Sequence, residues 1–250
     1  MATPENPSPV ELDNPIWHSL LGPLNRFAES HGDTHWFPSS VAPFIAVPTV
    51  HTLPDLEAAA ARGWRDPAYF FGVIPDTLPA GWHFASISNV LQLLPPSDPP
   101  EDPKTDSGED IRELGEADRP AMLALTRIAF PVFFRERTAE LGQYLGIFWE
   151  GRLMAMAGER MALAGWQEIS GVCTHPDFAG RGSARRLMHA LLARHRRRGV
   201  ATFLHVSEEN HHARRLYESM GYILRASLPM AKVERTTSPT PINRNEDRHL

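Results

Sequence analysis

The sequence predicts an α/β fold with at least one parallel strand pair. Three observations carry that reading. Beyond residue 109, short strand-like runs alternate with helices whose apolar residues recur every three or four positions. A glycine-bearing loop joins one of those strands to the longest helix. A proline- and acid-rich stretch at 95–108 sets this half apart from an N-terminal half of different composition.

In the N-terminal half, residues 16–29 read as helical, with a break or kink at Gly22-Pro23. Residues 56–61 form a short helix started by Pro54-Asp55. Residues 68–74 and 85–94 read as strands, joined by a turn-rich stretch about Pro79-Ala80-Gly81. Segment 95–108 has almost nothing to bury and reads as a linker. Residues 111–114 are a short strand. The next helix starts at Asp118 or Arg119. Pro120 suits its first turn, and Met122, Leu125, Ile128 and Ala129 give its apolar face. Residues 145–149 and 152–159 form a hairpin about Glu150-Gly151. After a strand at 167–174, helix 182–198 turns Ala184, Leu187, Met188, Leu191 and Leu192 to the core, and Gly199 ends it. A strand at 200–206 and a helix at 210–220, closed by Gly221, complete the pattern. The expected organisation is an acidic α/β domain at 1–94, the linker, a second α/β domain at 109–234, and a tail at 235–250.

Composition narrows the function. The chain has 250 residues, 42% hydrophobic and 22% charged, which is enough to bury a core. Its single cysteine, Cys173, rules out a disulfide framework within the chain and a cysteine-rich zinc site. No run of about 18 apolar residues is present, so no membrane span is expected. Residues 1–15 lack the apolar core of a secretory signal, which makes the cytoplasm the expected location. A formal charge of −5 argues against a general nucleic-acid binder. The basic run Arg194 to Arg198 reads as a solvated helix end, where cations suit the dipole. His211 and His212 do not share a helix face, and no metal is expected.

The chemistry concentrates in residues 168–221. Strand residues Val172, Cys173 and Thr174 lead through His175-Pro176 into Ala179, Gly180, Arg181, Gly182, Ser183 and Ala184, where the long helix begins. Unpaired N–H groups at such a helix start make an anion site, and the two glycines let a phosphate come close. The loop lacks the Gly-Lys-Ser/Thr ending of a Walker loop. It also lacks the third glycine of the dinucleotide fingerprint, because Arg185 stands there.

The order of these parts resembles the GNAT superfamily of N-acetyltransferases. Its Arg/Gln-x-x-Gly-x-Gly/Ala loop is matched at Gly182 and Ala184, with Ala179 in the first position. The later Asn210-x-x-Ala213-x-x-Leu216-Tyr217 and Met220-Gly221-Tyr222 extend the match. The resemblance implies a mixed, mostly antiparallel sheet with a central splayed parallel pair flanked by helices, over about residues 109–234. The N-terminal α/β domain could then be a diverged second copy.

The same resemblance implies that acetyl-CoA lies where the strand at Val172 parts from the strand at Val206. Amides of the 179–184 loop would hold its pyrophosphate. The backbone of Val172, Cys173 and Thr174 would pair with the pantetheine arm, and an amide there would polarise the thioester carbonyl. Asn210 would bond the pantetheine amides, its plainer role being a helix cap. An acceptor amine would attack directly in a ternary complex. Tyr217 would protonate the departing thiolate, the alternative being a core tyrosine. For the base, Glu168, His205 and a water path stay open. Cys173 points away from Val172 and Thr174 and reads as a small buried apolar residue rather than an acyl carrier.

The expected partners are acetyl-CoA and a small amine or a protein amino group, with no nucleic acid and no membrane; a homodimer is left open. The rival is a non-catalytic acyl-CoA sensor. Residues 1–108 hold 4 basic and 13 acidic side chains, a net −9, whereas 109–235 carry +4. That asymmetry predicts a cationic acceptor, steered by the acidic half.

Overall fold

The computed structural model describes residues 9–62, 67–97, 111–129 and 132–236. Helix α1 (Pro15–Leu21) has proline at its start, where the missing N–H would be unpaired anyway, and it ends at Gly22 before Pro23. Strands β1 (Glu29–His31), β2 (Thr34–Trp36) and β3 (Ile45–Ala46) form a small antiparallel sheet. Helix α2 (Leu53–Arg62) is longer than the sequence pattern predicts and buries Leu56, Ala59 and Ala60.

An eight-stranded sheet carries the rest. Its strands are β4 (Ala68–Phe71), β5 (Trp82–Leu94), β6 (Ile111–Leu114), β7 (Tyr144–Trp149), β8 (Arg152–Leu163), β9 (Trp166–Thr174), β10 (Ala201–Ser207) and β11 (Ile223–Arg235). They run in the order β4-β11-β5-β10-β9-β8-β7-β6. Every neighbouring pair is antiparallel except β9 and β10. The mixed, mostly antiparallel sheet with one parallel pair is the arrangement expected above.

The expected boundary at 95–108 does not divide this sheet. β5 precedes that segment, yet it lies between β11 and β10, which follow it by a hundred residues or more. Local composition marks where a ladder cannot run, but it does not say which distant strands pair. Residues 98–108 and the tail from 237 lie outside the described residues, as do residues 1–8.

Helices α3 (Arg119–Ala129), α4 (Ser183–Arg198) and α5 (His211–Ser219) cover the sheet. Leu187, Met188, Leu191 and Leu192 of α4 pack with Tyr217 of α5 against Leu145, Ile147, Ile169 and Leu204. Each such side chain contributes about 1.5–3 kcal/mol by leaving water. On α3, Met122 and Leu125 are buried as the spacing predicts, but Ile128 is exposed. Thr126 takes the inner position instead and donates its hydroxyl to the Met122 carbonyl at 2.9 Å. The β7–β8 turn has φ of +49° at Glu150 and +76° at Gly151, the paired positive values a two-residue hairpin uses. No described helix is long and apolar enough to cross a membrane.

Candidate active site

The site begins where the parallel pair separates. β9 and β10 are in register from Trp166 opposite Ala201 to Ile169 opposite Leu204. Beyond that point β10 stays paired only on its other edge, with β5, and Ser170–Thr174 of β9 have no partner on the β10 side. A bulge helps to part them. Between the pairs Gly158/Ser170 and Met156/Cys173, β9 carries one extra residue, and Gly171 adopts φ +61°, which favours glycine. Backbone donors around Val172 therefore face a gap instead of a strand.

Two cavities open from this gap. One, of about 570 Å³, runs from Val172, Cys173 and Thr174 to the loop at 179–184. Gly180 and Gly182 have φ of +79° and +78°, and a side chain on either would point into open space. Gly182 caps α4, so the first-turn N–H groups of that helix face the cavity. Ser183 is 2% exposed, and its hydroxyl lacks a hydrogen-bond partner among the described residues. Arg181 stacks its guanidinium over Phe178, 4.1 Å from the ring centre, which fixes the loop's course. Arg185, His212 and Arg215 add positive or protonatable groups to the wall. The orphaned hydroxyl, the open glycines and the cationic wall together fit a phosphate-bearing cofactor such as CoA.

The second cavity, about 190 Å³, lies on the other side of the gap. Phe44, Phe71, Phe133, Val90 and Met230 make it largely apolar, with Arg160 and His205 among its polar groups. Val172, Asn210, Ala213 and Tyr217 line both cavities, so the two meet there. Asn210 caps α5 by accepting from the Ala213 amide at 3.1 Å. Tyr217 is 6% exposed, and its hydroxyl makes no hydrogen bond to another described residue. Burial first, and the Glu168 charge second, raise its pKa above the ordinary value of 10. The group is thus protonated at neutral pH.

Both base candidates are locked in a buried polar chain. Glu168 is fully buried and accepts four hydrogen bonds: from Arg160 Nε at 2.9 Å, Arg160 Nη2 at 2.7 Å, the Met161 amide at 3.1 Å and His205 Nδ1 at 2.8 Å. Burial alone would raise its pKa, but the Arg160 charge and these donors outweigh that and hold it at about 2. Gln92 fixes the state of His205. Its Oε1 accepts from Arg225, which can only donate, at 2.7 Å. Its Nε2 therefore donates to the Leu12 carbonyl and to His205 Nε2, both at 2.9 Å. His205 is then the Nδ1–H tautomer, with both ring nitrogens in use. Burial lowers its pKa against the pull of Glu168, so it stays neutral.

Of the alternatives left open for the base, these two residues are both held by partners. Glu168 is not among the residues that line either cavity, and all four of its lone pairs are engaged, so it would have to surrender a donor to take a proton. His205 reaches the apolar cavity by its ring, but its lone pair is already engaged. The chain instead ties β8, β9, β10 and β5 together at the root of the splay. Cys173 agrees with its apolar reading: it packs among Leu114, Tyr144 and Met156, and burial pushes its thiol up to about 12. No carboxylate lines either cavity among the described residues.

Arg160 and Gln92 escaped sequence reasoning. The signal for Arg160 was a lone arginine in the apolar run 153–163, which demands a buried partner. The second register shift of β8 and β9 places it, with an extra residue between Glu159 and Ala162 that frees the Met161 amide for Glu168. Gln92 carried no comparable mark.

With this geometry in view, comparison with known proteins defines the class. Residues 144–229 match the FR47-like protein family model. A solved GNAT-family protein from Novosphingobium aromaticivorans DSM 12444 is 33% identical, with a TM-score of 0.78, over 90% of this chain and 99% of that one. A GCN5-related N-acetyltransferase from Kribbella flavida shares the fold at 18% identity and TM-score 0.60, over 91% and 96% of the two chains. A GCN5-related N-acetyltransferase-like protein from Streptococcus suis 89/1591 does so at 15% and 0.55, over 93% and 95%. No curated protein matches the sequence. The chain belongs to the GNAT acetyltransferase family.

Proposed function

We propose that the protein is an N-acetyltransferase that moves an acetyl group from acetyl-CoA to a primary amine by direct attack in a ternary complex. The observation that carries this reading is the meeting of two unlike cavities at Val172 and Tyr217. The larger one suits CoA. Amides of residues 179–184 and the Ser183 hydroxyl would take the pyrophosphate. The Val172–Thr174 backbone would run along pantetheine, and Asn210 would stand beside it. The smaller cavity would hold the amine. Such side-by-side binding supplies much of the rate through proximity.

The amine must reach the thioester neutral. With Glu168 and His205 engaged, its proton leaves to water through the cavity mouth. The nitrogen lone pair attacks the carbonyl carbon, and a bulge amide near Val172 stabilises the oxyanion. Collapse breaks the C–S bond; the attacking nitrogen, positively charged after addition, gives its extra proton to water, and Tyr217 gives its proton to the thiolate. Solvent returns a proton to Tyr217, so the products are the amide and CoA. The Arg160–Glu168–His205–Gln92 chain acts by position, fixing the four strands at the root of the splay.

Two measurements test the reading. Acetyl-CoA should raise Tm, by about 2.7 kcal/mol of added stability at a hundred times Kd, and Gly182→Asp should abolish that gain. Amines should cause release of free CoA. A protein that acetyl-CoA does not stabilise is not an acetyl-CoA enzyme.

A further inference from the structure

The smaller cavity also specifies what kind of amine it admits. Its volume of about 190 Å³ exceeds the roughly 150 Å³ in which a benzene molecule fits, so one ring-sized group is accommodated. The walls suit such a group. Phe44 and Phe133 stack with ring centres 5.6 Å apart and planes 5° from parallel. Phe71 meets His205 edge-on at 4.6 Å. The charge in the wall is positive: Arg160 lines the cavity, while its partner Glu168 lies behind it. A second ammonium group entering here would meet a guanidinium and no carboxylate.

Arg160 offers one thing more. Its Nε and Nη2 both serve Glu168, while Nη1 donates to no described residue and the side chain lines the cavity. It is a charged donor in a largely apolar chamber, unlike anything an alkyl acyl chain would need. We propose that the acceptor is an apolar monoamine about the size of one aromatic ring, bearing an oxygen that accepts a hydrogen bond from Arg160, and not a polyamine. This rests on the assignment of the smaller cavity to the amine. The oxygen can belong to a carboxylate or to a neutral carbonyl.

Four probes separate the cases: phenethylamine, phenylalanine, phenylalanine amide and spermidine, each with acetyl-CoA, read as CoA release. One or both oxygen-bearing probes should exceed phenethylamine about tenfold in kcat/KM, the worth of one charged hydrogen bond. Whichever of the two is faster identifies the oxygen's source. Spermidine should be slowest. In Phe133→Ala the ratio of kcat/KM for a naphthyl-sized amine over phenethylamine should rise about tenfold, a change of ratio that partial unfolding does not produce. Spermidine as the best probe overturns the proposal. So does phenethylamine equal to both oxygen-bearing probes, an unchanged ratio in Phe133→Ala, or hexanoyl-CoA preferred to acetyl-CoA. Absence of turnover with every probe, while acetyl-CoA still raises Tm, overturns the acceptor class and leaves cofactor binding intact. Loss of the Tm gain would strike the transferase reading itself.

Discussion

Replacing Tyr217 with phenylalanine separates a catalytic hydroxyl from a packed ring. The ring is 6% exposed and lies 5.8 Å, centre to centre, from Tyr222, a contact that phenylalanine keeps. The oxygen has no hydrogen-bond partner among the described residues, so its removal leaves no orphaned group behind. Folding stability should therefore change by no more than about 0.5 kcal/mol, and acetyl-CoA should still raise Tm as in the parent. The chemical step is different. A general acid is worth about 10²–10⁴ in rate, so kcat should fall at least about a hundredfold, or about 2.7 kcal/mol of barrier. The assay is CoA release at saturating acetyl-CoA and amine, beside thermal unfolding of both proteins. The pH profile sharpens it. Because the Tyr217 pKa is raised above 10, the parent should keep its kcat to the alkaline limit set by other groups. A variant with parental kcat would refute the acid role and return Tyr217 to the core.

Two further outcomes concern the buried groups. Glu168 is held at about pKa 2 against an ordinary 4.5, so the unfolded chain binds the proton more readily. Stability from this group is full above about pH 4.5 and should drain away as pH falls toward 2, by on the order of 3 kcal/mol in denaturant titrations. His205, whose pKa is lowered, adds a loss that begins below its ordinary 6.5; in Glu168→Gln the lower-pH part of the decline should vanish while overall stability drops by about 3–5 kcal/mol, since Arg160 loses its partner. The Cys173 thiol, pushed up to about 12, should resist iodoacetamide at pH 8 in the native protein and react on unfolding. Labelling in the native state at the unfolded rate would contradict that burial.

What the sequence made legible was local. The hairpin at Glu150-Gly151, the glycine loop before α4, the cap at Asn210 and the packed stripe of α4 are each written within a few residues, because turns, caps and helical faces obey short spacings. Long-range pairing was not. β11 was missed as an element, and β5 was assigned to a separate unit although β11 and β10 flank it. The site divided along the same line. The loop residues could be named from spacing and Tyr217 from the family resemblance, whereas the engagement of Glu168 and His205 depends on Arg160, Gln92 and Arg225, which arrive from three other strands. Residue type suggested two bases; only the register of the bulges explains why neither has a free lone pair in the cavity.

The strand order bears on how the chain is made. Trp82–Leu94 leaves the ribosome with both of its future edges bare, since its neighbours Ala201–Ser207 and Ile223–Arg235 are still untranslated. At about 5–20 residues per second, roughly a hundred more residues must be synthesised, which leaves that strand waiting for some 5–20 s. Throughout that interval Val90, Leu91 and Leu93, all buried in the finished sheet, have nothing to cover them. Nascent chains stalled before residue 201 should therefore recruit chaperones and resist compaction, and a transcript cut short by even the last strand would yield a polypeptide that the cell degrades.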